Sequence, residues 1–246
     1  MTEDELTSDA ITADFRLLQR KRGHRFSIDD LATAWEAIRA APDATTFLDL
    51  GCGIGSVLLM LAWKLPSAHG FGIEAQEISF GLLRRNVDDN GLAGRVVVQH
   101  GDLRDVTRSW PHGRASLVTG TPPYLPPGTA SASPDPQRAA CRIELRGGVE
   151  DYLAAAARVV TDDGVVVVCA DGRSPERVLR GAAAAELVPV RRLDIVPRAG
   201  KAPLFSVWTC ARSSRGELDH AALVMRDEDG ARTEASLAMR RAFGLG

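Results

Sequence analysis

The chain has few cysteines, no excess of charge and no long apolar run. Cys52, Cys141, Cys169 and Cys210 are widely separated and form no CxxC pair, so neither a zinc site nor a disulfide framework is expected and no metal is called for. The formal charge of −2 gives the molecule no global pull on a polyanion. No apolar stretch approaches the ~20 residues that span a bilayer. The opening MTEDELTSDAITADF is acidic and lacks the basic start and apolar run of a secretory leader, which places the protein in the cytoplasm. No internal repeat is found.

What is present is 246 residues, 45% hydrophobic and 25% charged, a composition that fits one α/β domain with an N-terminal extension. The expected division is an extension and capping helix at 1–40 and a main domain at 41–246. The densest signal is TFLDLGCGIGS, Thr46 to Ser56. Phe47, Leu48 and Leu50 read as a buried strand and Val57 to Trp63 as a helix, so the glycines occupy a strand-to-helix turn. Gly51, Gly53 and Gly55 let the backbone pass close under a nucleotide-like ligand. The spacing is GxGxG after Asp49, and Ser56 stands where the dinucleotide fingerprint needs its last glycine. That favours S-adenosylmethionine over NAD; a plain structural turn is the alternative.

Residues 1 to about 14 look loosely held, and Phe15 to Arg25 is basic, through Arg16, Arg20, Lys21, Arg22 and Arg25. It is either a substrate-facing segment that contacts phosphates or a solvated face. SIDD opens a helix with Ser27 or Asp29 as cap, Leu31, Ala34, Trp35 and Ile38 follow at helical spacing, and Pro42 closes it. Gly70 to Glu74 reads as a second strand, and its terminal acid is placed to accept both hydroxyls of a ribose. Arg95 to Gln99 is a third strand, followed by HGD, whose Asp102 is an acceptor for an adenine amino group. His100 is expected at the surface. Ala115 to Thr119 makes a fourth strand that runs into TPPYLPPG, where adjacent prolines end the sheet stiffly and hold Tyr124 at its carboxyl end. The insert SASPDPQ follows, as a candidate mobile cover. A helix from Val149, a strand Val165 to Ala170, a helix Ala182 to Leu187, strands Val188 to Val196 and Leu204 to Cys210, and a last helix Thr233 to Phe243 complete a Rossmann-like, seven-stranded sheet with helices on both faces.

LDLGCGIG, GIE, HGD and the PPY loop, in this order, resemble class I S-adenosylmethionine-dependent methyltransferases with an [Asn/Asp]-Pro-Pro-aromatic motif. Between Gln19 and Phe243 the chain is similar to the bacterial tRNA adenine-N6 methyltransferases that modify position 37 of valine tRNA. QRKRGHRFSIDDLATAW matches that family's opening segment, with Asp29 on its acid, and QRAACRIELRGGVEDYLAAAARVV matches the stretch after the PPY loop. The related release-factor glutamine methyltransferases share the core motifs and carry a different N-terminal domain. The resemblance implies an N-methyltransferase with S-adenosylmethionine held by Asp49, Gly51, Gly53, Gly55, Glu74, Asp102 and Asp29, and an acceptor nitrogen held by Thr121, the Pro122 carbonyl and Tyr124. Thr121 stands where the families carry Asn or Asp, and its hydroxyl accepts from a shorter arm than an amide. An adenine of tRNA, a protein side chain and a small molecule are therefore all open as acceptors, as is a catalytically silent binding module of the same fold.

Overall fold

The computed structural model describes residues 5–107, 110–129, 133–213 and 216–246. Residues 1–4 of the N-terminal extension, and Ser131 and Ala132 of the SASPDPQ insert, lie outside them. A hairpin of β1 (Leu6–Ala10) and β2 (Arg16–Arg20) precedes α1 (Ile28–Ala40). Strand and helix then alternate as β3 (Thr46–Leu50), α2 (Ser56–Lys64), β4 (His69–Glu74), α3 (Glu77–Asp89), β5 (Val96–His100) and β6 (Ala115–Gly120). The second half holds α4 (Pro136–Arg142), α5 (Val149–Val159), β7 (Val160–Asp171), α6 (Pro175–Ala184), β8 (Val188–Val196), β9 (Phe205–Ala211), β10 (Asp219–Val224) and α7 (Glu234–Arg241).

The main sheet has the order β10-β8-β9-β7-β6-β3-β4-β5. Strand β9 runs antiparallel to both its neighbours, and the other pairings are parallel. Both faces are covered, which is why the central strands are continuous apolar runs rather than alternating ones. In β7, Val165, Val167 and Cys169 enter the core shared with α1, α2, α3 and α7. Val166, Val168 and Ala170 enter the opposite core, against α5 and α6.

The sheet has eight strands where seven were expected. The extra one, β10, adds in parallel to the edge of β8; Leu223 is its only fully buried side chain, so its apolar pattern is faint and the free edge of β8 decides its conformation. The helix expected at Ala182 to Leu187 instead spans Pro175–Ala184. Pro175 fits its first turn, where the missing N–H costs nothing, and Glu186 with φ +55° ends the run before Leu187. The insert also holds a helix that was not expected. Asp135 caps α4 by accepting the Arg138 N–H at 2.9 Å, with Pro136 in the first turn.

The N-terminus is not loosely held in its described part. Ile11 and Leu17 are buried in the core, and the acidic start pairs with the basic stretch after it: Lys21 with Glu5 and Arg25 with Asp9. The hairpin docks on α3 through two side-chain amides. Asn86 accepts the Leu18 N–H at 2.7 Å and donates to the Leu18 carbonyl at 3.0 Å; Asn90 does the same for Arg16 at 2.8 and 2.7 Å. Four helical residues rise about 6 Å and two strand residues about 6.6 Å, so amides four apart on a helix mimic a pairing strand. Asn86 also donates to the Ile54 carbonyl at 2.8 Å, which joins the hairpin to the glycine loop. Asn86→Ala leaves three backbone groups unpaired, the Ile54 carbonyl buried and the two of Leu18 half-buried, and should cost about 3 kcal/mol in urea unfolding. Asn90→Ala, at a more exposed position, should cost about 1 kcal/mol or less.

Candidate active site

From β3 the chain moves outward through β4 and β5, then returns to β6 on the opposite side of β3. The carboxyl ends of β3 and β6 therefore flank a topological switch point, where open α/β sheets hold ligands. A cavity of about 650 Å³ lies there. Asp29, Gly51, Gly53, Glu74, Asp102, Thr121, Pro122 and Tyr124 all line it. Asp49 and Gly55 do not.

The glycine loop is shaped by two needs. Gly51 has φ +58°, and a Cβ there would meet the Tyr152 hydroxyl at 2.2 Å. Gly53 has φ +56° and no atom within 4 Å of a Cβ position, so its bare backbone faces open space. Its N–H donates to Glu74 Oε2 at 2.8 Å, while Oε1 accepts the Gln76 N–H at 2.6 Å. Glu74 thus ties the first loop to the end of β4. Gly55, with φ +97°, caps α2 and lies against Leu59 and Leu83 rather than the cavity.

Asp49 sits beneath the loop, buried, and accepts the Thr119 hydroxyl at 2.7 Å. Burial, together with the Glu74 charge, pushes its carboxyl up to about 7. Burial also raises Glu74, against the pull of the Gln76 and Gly53 amides and the Arg146 charge. Asp30 accepts the Ser27 N–H at 3.2 Å and is raised by burial and by the Asp29 and Asp49 charges. Asp102 differs. Arg104 grips it with bonds of 2.9 and 2.6 Å and holds its carboxyl below the usual range.

The PPY loop is fixed from several sides. The Tyr124 ring stacks on Phe205 with centroids 6.4 Å apart, and its hydroxyl lies 3.0 Å from Cys169 Sγ and 3.3 Å from Asp29 Oδ2. Leu125 donates to the Arg142 carbonyl at 3.1 Å and accepts the Glu144 N–H at 3.0 Å. Arg177 in turn holds Glu144 with bonds of 2.6 and 3.0 Å and Glu150 with bonds of 2.9 and 2.6 Å. Among the described residues, neither the Thr121 hydroxyl nor the Pro122 carbonyl has a hydrogen-bond partner, and both residues face the cavity.

Sequence reasoning missed several lining residues: His24, Asp30, Tyr152, Arg142, Arg146 and Arg173. Asp30 was visible only as half of a helix start. Tyr152 lies on α5, where its spacing marks it as ordinary core, and the arginines follow no apolar period.

The methyltransferase small domain family matches residues 28–131, which include the glycine loop, Glu74, Asp102 and the PPY loop. A tRNA1(Val) (adenine(37)-N6)-methyltransferase of Cronobacter sakazakii is 29% identical over 216 residues, covering 87% of this chain and 85% of the relative. The chain is an S-adenosylmethionine-dependent methyltransferase. A release factor glutamine methyltransferase of Caulobacter vibrioides is 31% identical over 176 residues, 65% of the chain and 58% of the relative's length. The methyltransferase has the fold of a predicted O-methyltransferase of Agrobacterium tumefaciens, with a TM-score of 0.67 at 18% identity over 89% of this chain and 98% of that one. No helix among the described residues is long and apolar enough to cross a membrane.

The methyltransferase's cavity suits its cofactor. S-adenosylmethionine supplies a methyl group on a cationic sulfur. Carboxylates raised by burial, and at Asp30 and Asp49 also by a neighbouring charge, are stabilised by a cation, the open face at Gly53 leaves room for ligand where a side chain would stand, and Glu74 keeps acceptor capacity beyond its two amide bonds. Glu74→Gln should weaken S-adenosylmethionine binding by about 1.5 to 3 kcal/mol, the scale of charge-assisted bonds, read by calorimetry. A cation entering the cavity lowers the Asp49 carboxyl from about 7, so binding should release protons and tighten as pH rises from 6 to 8. The same carboxyl is ionised above about 4 in the unfolded chain, so the unliganded protein should lose stability as pH rises from about 4 to 7. Asp49→Asn should flatten both profiles, as measured by calorimetry in buffers of different ionisation heat and by melting across pH.

Proposed function

We propose that this methyltransferase transfers its methyl group to a nitrogen, and that the acceptor is the amino group of an adenine in tRNA. The observation that carries this reading is the pair of unpartnered acceptors, the Thr121 hydroxyl and the Pro122 carbonyl, on a braced loop that shares one cavity with Gly53 and Glu74. An amino group that donates one N–H to each acceptor has its lone pair turned out of the plane of those bonds. Both bonds strengthen as the nitrogen gains its new substituent and its protons become more acidic, so they favour the transition state over the ground state. The chemistry asked of these residues is orientation. Tyr124 has one ring face on Phe205 and is half-buried, and it walls the acceptor side as a rigid aromatic surface for a base. The similarity over most of both chains to a protein named as a tRNA adenine-N6 methyltransferase supports the same acceptor.

A second reading, a protein side-chain nitrogen, is supported by Thr121 in place of the family amide and by the similarity to release factor glutamine methyltransferases. Radiolabel from S-adenosylmethionine, traced into fractionated RNA, protein and small molecules, separates the two. Thr121→Val keeps the shape and removes the hydroxyl. It should lower turnover roughly tenfold to a hundredfold, about 1.4 to 2.7 kcal/mol, with cofactor affinity intact. Thr121→Asn should preserve or raise transfer to adenine and impair transfer to any acceptor whose pocket is shaped around threonine. Full turnover in Thr121→Val would remove this loop from the mechanism.

A further inference from the structure

The basic stretch near the N-terminus is a poor docking surface, because most of its charges are spent inside the fold: Arg16 is bonded to Ser8, and among the described residues Arg22 is the one member without a partner. Arg20 is buried and gives one bond to Gln137 Oε1 at 3.1 Å and an ion pair to Asp135 at 2.7 Å. Lys21 and Arg25 are paired within the hairpin. A different set of cations is free. Arg138, Arg142 and Arg146 are all exposed, and among the described residues none of the three side chains has an ion-pair or hydrogen-bond partner. Many other arginines of the chain are paired, as at Arg104, Arg114, Arg173, Arg177, Arg191 and Arg192.

The three are four residues apart. Arg138 and Arg142 share a face of α4, about 6 Å apart along its axis, and Arg146 follows in the loop beyond. Arg142 and Arg146 line the active-site cavity, Arg138 does not, and the Arg146 charge is felt by both Glu74 and Asp102. The row therefore runs from solvent, along the cavity wall, to the acids of the cofactor half. Leu145, 57% exposed, lies between the last two and lines the same cavity. The opposite face of α4 is anchored: Gln137 is fully buried and donates to Ser79 at 3.1 Å, and Ala139 and Ile143 are in the core.

We infer that Arg138, Arg142 and Arg146 form the surface on which the phosphate backbone of an RNA acceptor docks, and that Arg20, through Asp135 and Gln137, holds α4 in the attitude that presents them. The inference rests on the reading of the cavity as an acceptor site. A molecule with net charge −2 can bind a polyanion only through such a local row, and unpartnered guanidiniums suit phosphate oxygens bidentately. A basic row that leads into the cavity also gives direction, because it steers the strand toward the PPY loop rather than merely holding it nearby.

Binding of unfractionated tRNA is measured against salt concentration for the parent, for Arg138→Gln/Arg142→Gln/Arg146→Gln, and for the three Lys replacements, with melting temperatures to show that each is folded. Each lost phosphate contact removes about 0.7 to 0.9 from the slope of log affinity against log salt. The Gln triple should lose about 2 to 3 in slope, and the Lys triple should keep most of it. Lys21→Gln/Arg22→Gln/Arg25→Gln should leave the slope near that of the parent. A slope unchanged in a folded Gln triple, or one lost in the N-terminal set instead, overturns the inference while transfer of label to RNA still stands. A parent that binds tRNA without salt dependence and labels protein overturns it together with the tRNA reading.

Discussion

The bond between the Gly53 amide and the Glu74 carboxylate is the constraint on which the site depends, because it joins the loop after β3 to the end of β4 and determines how the glycines face the cavity. It works only in a dry setting, and drying it has a cost. Glu74, Asp30 and Asp49 are all buried; the Glu74 charge raises Asp49, and the Asp49 charge raises Asp30. The fold accepts this because backbone N–H groups and the Thr119 hydroxyl satisfy the carboxylates individually. The remaining excess of negative potential is what a cationic cofactor would relieve, so the cost of burying these carboxylates and the cofactor affinity we propose for them have the same electrostatic origin.

The half of the cavity that we propose for the acceptor is organised by another device. Two prolines stiffen the exit from β6, but stiffness alone does not aim a loop. Aim comes from Tyr124 packed on Phe205 and reaching Cys169 and Asp29, and from Leu125 bridged to the 142–144 segment. Arg177 closes that bridge by gripping Glu144 and Glu150 together. Among the described residues the Thr121 hydroxyl and the Pro122 carbonyl are left without hydrogen-bond partners while the loop around them is tied down, the preorganisation that the proposed positioning mechanism requires.

The N-terminal hairpin connects these halves. Asn86 and Asn90 hold it to α3, Asn86 reaches the glycine loop, and Arg20 reaches Asp135 and Gln137 at the start of α4. Polar side chains that look like surface decoration in the sequence are here the joints between segments 32 to 117 residues apart.

By itself the sequence determined the elements whose signal is local. The apolar runs of β3, β4, β6 and β7 mark strands that need both faces covered. The glycines mark a turn at which backbone must approach a ligand, and the adjacent prolines mark where a strand ends. From these came the α/β class and most of the strands, and together with the family resemblance they pointed to eight of the residues that line the cavity. What only the tertiary structure decided depends on partners distant in the chain. Whether Asp49 faces the ligand or the underside of its loop is set by Thr119, seventy residues on. Whether β10 is a strand is set by a free edge of β8. Whether an arginine is a latch or a free cation is set by the acids that folding brings within reach: Arg20 finds Asp135, and Arg138, Arg142 and Arg146 find none among the described residues. Periodicity encodes burial, which is a property of one segment; charge pairing is a property of two, and only the fold says which two.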